Sequence, residues 1–62
     1  MNIKFEFKNG FEYTVYGIIM INIIWVQNKA MIEIQGFYKD EFGDRSSYDH
    51  IFIDDIRRMK SD

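Results

Sequence analysis

Asp49 and His50, followed closely by Asp54 and Asp55, are the one place where carboxylates and an imidazole come together in this sequence. Such a group could hold a metal ion or work as an acid–base pair. A catalytic histidine needs a partner that orients it and a reacting group within reach. The nearest hydroxyls, Ser46 and Ser47, fall in a stretch that reads as loop, and no lysine is placed to serve. With one histidine and no cysteine in 62 residues, the four Cys or His ligands usual for a structural zinc site are not supplied. The expectation is a strand histidine beside a helix cap, with no catalytic residue, no metal and no cofactor.

Two other groups have some chemical content. Asp40, Glu41 and Asp44 resemble calcium ligands in type. They lack the alternating oxygen positions and terminal glutamate of a calcium-binding loop, so a solvated loop is expected. Tyr13, Tyr16, Phe37, Tyr38 and Tyr48 fall on strand patterns. Small barrels stack single-stranded nucleic acid on such rings beside a positive groove. Tyr13, Tyr16, Lys4, Lys8, Arg57 and Arg58 are the candidates for that chemistry, with Lys29 and Lys60 in support. The net charge of −2 offers no basic excess for phosphates, so nucleic acid ranks second to a protein partner. The carboxylates of Glu33, Asp40, Glu41, Asp44, Asp49, Asp54 and Asp55 face five basic residues in the same half of the chain and read as ordinary solvated surface.

The elements that must position these groups are organised around residues 18–26, Ile-Ile-Met-Ile-Asn-Ile-Ile-Trp-Val. Eight of these nine residues are apolar and five are isoleucine. The run is too short for a membrane span, which needs ~20 apolar residues. Its β-branched side chains lose rotamer freedom in a helix and fit a pleated surface. A strand covered on both faces, or nearly so, is expected. The whole chain has eleven isoleucines, eleven aromatic residues, no leucine and no proline, which points to a mostly-β fold. The abundance of Ile, Lys, Asn, Phe and Tyr is also what an AT-rich bacterial or phage genome encodes. No basic segment precedes an apolar one at the N-terminus, so no signal peptide is read. The expected setting is cytoplasmic, in the host cell if the protein is phage-encoded.

Residues 3–8 alternate apolar and charged, the period of a half-buried strand. Asn9-Gly10 is a strong hairpin signal. A two-residue turn there would set Phe7 opposite Glu12 and mix the faces. A three-residue Lys8-Asn9-Gly10 loop pairs Phe7 with Phe11, Phe5 with Tyr13 and Ile3 with Val15, which makes one face wholly apolar. That register is expected, because a one-residue slip buries charge. Its cost is Glu6 opposite Glu12, which Lys4 and Lys8 could offset. Gly17 then marks a bend or connection.

The central strand ends at Gln27-Asn28-Lys29, and residues 30–38 form the next strand. The register expected there sets Trp25 against Ile32 and Ile23 against Ile34, leaving a mixed face with Ile24 opposite Glu33 and Val26 opposite Met31. Met20, Ile24, Val26, Met31 and Phe37 crowd that mixed face. They are either covered within the chain or form an interface with a protein partner or with a second copy of the chain. Residues 39–47 read as a polar loop with Phe42 as anchor, and 48–53 as a fifth strand. Residues 54–60 read as a short C-terminal helical turn capped by Asp54, with Ile56 and Met59 docking on the sheet.

The plan of consecutive hairpins with a terminal helical turn looks like that of the small SH3-like or Sm-like barrels, a likeness of architecture that carries no function. The expectation is therefore one all-β domain over residues 1–62. It is a five-stranded antiparallel meander, either a strongly bent sheet or a small barrel. Its expected role is a non-enzymatic protein-interaction module that contacts a protein partner or itself, of the kind found among small phage or bacterial accessory and inhibitor proteins.

Overall fold

The computed structural model describes all residues from Met1 to Asp62. Five antiparallel strands form one sheet: β1 (Ile3–Phe7), β2 (Glu12–Val26), β3 (Lys29–Asp40), β4 (Gly43–Phe52) and β5 (Ile56–Ser61). Their order across the sheet is β4-β3-β2-β1-β5. The first four strands are a meander, and β5 returns to pair with β1. β4 and β5 are the two outer strands of the sheet and do not pair, so it is strongly curved but not closed into a barrel.

The β1–β2 register is the one the alternation requires. Ile3 pairs with Val15, Phe5 with Tyr13 and Glu6 with Glu12. The Phe7 amide donates to the Phe11 carbonyl at 2.8 Å, and the Gly10 amide donates back to Phe7 at 3.0 Å. Gly10 takes a φ of +92°, which the missing Cβ makes inexpensive. The like-charged pair is compensated on the same face. Lys4 reaches Glu12 at 3.0 Å and Arg58, rather than Lys8, reaches Glu6 at 3.4 Å.

The two strands expected on either side of Gly17 are one strand, β2, with a kink. Tyr16 pairs with Phe37 but Met20 pairs with Gln35, so β2 carries two extra residues over that span. Gly17 sits at φ +53°. The Asn2 side chain accepts its amide at 3.0 Å and the Met1 carbonyl accepts that of Ile18 at 3.1 Å. The kink turns the first half of β2, with β1 and β5, over one face of β3 and β4. The core forms where they meet: Ile3 and Phe5 of β1, Val15 of β2, Ile32 and Ile34 of β3, and Ile51 of β4. Phe7, Tyr13, Ile18 and Ile56 pack around it. β1 and β4 are three places apart in the sheet, so only a curled sheet brings their side chains into one cluster.

Three local expectations are corrected. The β2–β3 register is displaced by two residues: Ile23 faces Ile32, Ile21 faces Ile34 and Ile24 faces Met31. The turn is only Gln27-Asn28, both at positive φ (51° and 65°), the backbone of the tight hairpin turns that match strand twist. Asn tolerates this conformation, and no glycine announced it. Because the displacement is even, each side chain keeps its face.

The expected polar loop over 39–47 is mostly strand. Asp40 pairs with Gly43 across a two-residue turn, and the Asp40 carboxylate accepts the Phe42 amide at 2.7 Å. Phe42 points into solvent and anchors nothing. Finally, the C-terminal helix is absent. A single 3-10 turn spans Ile53–Asp55 without a side-chain cap, and the chain then continues as β5. The open side of β1 offers a row of backbone partners, and pairing there outweighs a short helix with weak propensity. An extra residue at Arg57 bulges β5, so Ile56 lies opposite Phe7 and Met59 opposite Phe5. Those two side chains do share a face, through a bulge rather than a helical period.

Gly36 is where the kinked part of β2 crosses β3. A Cβ there would lie 2.7 Å from the Tyr16 carbonyl oxygen and 2.7 Å from Val15 Cγ1. We expect Gly36→Ala to cost about 1–3 kcal/mol, measured by chemical denaturation, because backbone on the far side cannot rotate away. Gly43→Ala, with open space around it, should disturb packing nowhere and cost only backbone strain.

Candidate functional site

The sheet has a core face and an outer face, and β2 contributes differently to each along its length. In the first half of β2, β1 pairs as far as Val15 and the Met1 carbonyl takes the Ile18 amide. Beyond that point β2 has β3 on one side and no strand on the other. Residues 19–26 and their β3 partners therefore project as an arm, along a molecule 37 Å in its longest dimension against 20 Å in its shortest. The layer of β1 and β5 ends before it covers this arm.

The consequence is a row of bare apolar side chains on the core face. Ile19 is 66% exposed, Ile21 37%, Ile23 58% and Trp25 71%. These are the residues that the sequence pattern assigns to a covered strand. The mixed face, where an interface was expected, is better covered. Met31 is only 8% exposed, set between Ile24 on one side and Phe52 on the other. Met20, Ile24 and Phe37 are half-buried, and Val26 alone of the five is open. The five lie on one face, but the more exposed apolar group lies on the other.

The outer face also carries a polar cluster that the sequence did not suggest. Glu33 of β3 is paired across β4 with His50, one step from Gln35 and Tyr48. The Tyr48 hydroxyl donates to Glu33 Oε2 in a short hydrogen bond. His50 Nε2 lies 3.1 Å from the Tyr48 hydroxyl and 3.6 Å from Glu33. Asn22 Nδ2 donates to Glu33 Oε1 at 3.4 Å. The Tyr48 hydroxyl holds the Glu33 carboxyl below its ordinary value, with Asn22 and His50 contributing. The same bond pushes the Tyr48 phenol up. The cluster is a solvent-facing hydrogen-bonded set.

The other expected groupings do not assemble. Asp49 and His50 are neighbours on one strand, so their side chains take opposite faces. Asp49 accepts a 2.8 Å hydrogen bond from the Tyr13 hydroxyl, and burial together with that bond raises the Tyr13 phenol. The bond spans one end of an open cleft of about 720 Å³ lined by Phe7, Phe11, Tyr13, Tyr38 and Asp55 among others. No three metal-ligating side chains cluster anywhere. Asp40 instead closes its turn and pairs with Arg45 at 3.0 Å.

Among the nucleic-acid candidates, Tyr13 is held by Asp49 on the core face, while Tyr16 lies on the outer face with the Lys39 ammonium 4.6 Å above its ring. Lys4 and Arg58 are paired with carboxylates. Lys4 and Tyr16 line one open cleft together with Lys60. No helix is long and apolar enough to cross a membrane. Comparison with protein-family models, with curated proteins and with solved structures finds no match for this chain.

The Glu33–Tyr48 bond has a titration consequence. Because the folded carboxyl lies below its ordinary value of 4.5, its stabilisation is present above that pH and is lost as pH falls through the folded value. A carboxyl-resolved NMR titration should find Glu33 titrating below the ordinary glutamate value of 4.5. Tyr48→Phe should return it upward. An unchanged midpoint in that variant would mean that the hydroxyl does not hold the carboxylate.

Proposed function

We propose that this chain is a non-enzymatic protein-interaction module, and that the apolar side of the β2 arm is its docking surface. The observation that carries the reading is the row of Ile19, Ile21, Ile23 and Trp25, bare on one face of a strand whose outer edge is unpaired. A contiguous apolar patch on so small a molecule is costly in water and marks contact surfaces. An extended partner segment can add to such an edge through main-chain hydrogen bonds and read it through alternate side chains. Trp at the tip supplies the large rigid anchor around which binding energy concentrates. The size and composition suit a small bacterial or phage accessory or inhibitor protein acting in the cytoplasm. On the opposite face, buried Met31 and half-buried Met20, Ile24 and Phe37 then support the arm from behind, with exposed Val26 at their margin.

The test is a pair of substitutions on exposed positions. Ile23→Asp with Trp25→Ser should leave the melting temperature within a few degrees, as surface changes usually do. The same double variant should lose the proteins that an immobilised wild-type chain retains, while Glu41→Lys at the far turn keeps them. Full retention by the double variant would remove the arm as the docking surface. Loss of the fold would show that these side chains are core.

A further inference from the structure

We infer that the occupant of the β2 arm is a second copy of this chain, joined edge to edge and antiparallel about a two-fold axis at Ile23. The inference rests on the arm being the docking surface and adds what docks there. Its first support is charge. The sequence has no charged residue between Glu12 and Lys29. The outer strands of the sheet are different: β4 carries Asp44, Arg45, Asp49 and His50, and β5 carries Arg57, Arg58 and Lys60. Charge on a free edge discourages pairing with another chain. Two edges are defended in this way and the arm is not. An uncharged edge also meets its own copy without like-charge repulsion, which a two-fold contact would otherwise impose on every charged residue near the axis.

The second support is register. An antiparallel pair must keep like faces together, so the axis has to pass through a residue position. Centred on Ile23, Ile23 meets its own copy, Ile21 meets Trp25, Met20 meets Val26 and Asn22 meets Ile24. The bare face is apolar throughout. The Gln27-Asn28 turn of one copy then ends beside Ile18 of the other, where the Met1 carbonyl already takes the amide. Centring on Asn22 would drive that turn past Ile18 into Met1 and Asn2. Each copy has one such edge, so the pairing closes as a dimer. Seven strand residues a side bury on the order of 500 Å² per copy, at the small end of stable interfaces. The dimer is therefore expected to form and dissociate with concentration.

Light scattering over a wide concentration series should show the mass rising from one chain to two. Ile23→Lys, at an exposed position, should hold it at one chain with an unchanged circular dichroism spectrum. The chain has no cysteine of its own, so single cysteines report the axis. Two copies of residue 23 would have Cα atoms about 4.5–5.5 Å apart, within disulfide range. Ile23→Cys should cross-link on oxidation. Trp25→Cys, whose copies stand about 13 Å apart, should not. Linkage through Asn22→Cys or Trp25→Cys in preference to Ile23→Cys would overturn this axis. A wild-type mass of one chain throughout would overturn self-pairing and leave the arm open to a different partner. A dimer indifferent to Ile23→Lys would overturn self-pairing through the arm, while the arm as a docking surface would still stand or fall on the Ile23→Asp with Trp25→Ser variant.

Discussion

The backbone of β2 crosses β3 at Gly36 with no room for a side chain between them, and the rest of the architecture depends on that crossing. The Tyr16 carbonyl and the Val15 methyl occupy the space a Cβ would need. On the other strand, Gly17 takes a left-handed backbone and admits two extra residues before pairing resumes. One strand can therefore belong to two layers. Without the kink the sheet would be flatter, and Phe5, Ile34 and Val15, which are its largest fully buried side chains, would have no common interior. For a chain of 62 residues without disulfides, that one cluster has to supply most of the stabilisation, since small domains bury a low fraction of their surface.

The same kink creates the exposed arm. β1 can follow β2 only as far as Val15, because beyond it the strand turns away. The second half of β2 then keeps one hydrogen-bonded neighbour and loses the covering layer. The arm and the core are thus two consequences of one geometric event: side chains before the kink are buried and side chains after it, on the same face, are bare. The polar set of Glu33, Tyr48, His50 and Asn22 occupies the opposite face, where it gives β2, β3 and β4 a shared hydrogen-bonded surface that water can reach.

The local alternation of residues 3–15 carries its own register. Charge on every other residue makes any odd slip bury a lysine or a glutamate, and the Asn9-Gly10 turn fits only one of the remaining choices. The β2–β3 hairpin has no such guide. Both faces there are apolar enough that a displacement of two residues changes little, and a turn of Gln and Asn in left-handed conformation gives a weak signal. The C-terminal residues read as helix because Asp54, Arg57 and Lys60 have helix-favouring placement. They form a strand because β1 leaves an unpaired side within reach, and a bulge at Arg57 disguises a period of two as a period of three.

The sequence by itself determined the mostly-β antiparallel class, the first hairpin and the excess of apolar surface over what one small core absorbs. These follow from side-chain alternation and from isoleucine and aromatic content, which act locally. Tertiary structure decided where that excess lies. Residues 19, 21, 23 and 25 carry the same pattern as a buried strand, and no property of the residues themselves distinguishes them from Ile32 or Ile34. Their exposure depends on where β1 stops and which way Gly17 turns the chain. It also decided that Asp49 and His50 part company, since neighbours on a strand face opposite sides. Burial is a property of what lies across the sheet, and that is set by contacts distant in sequence.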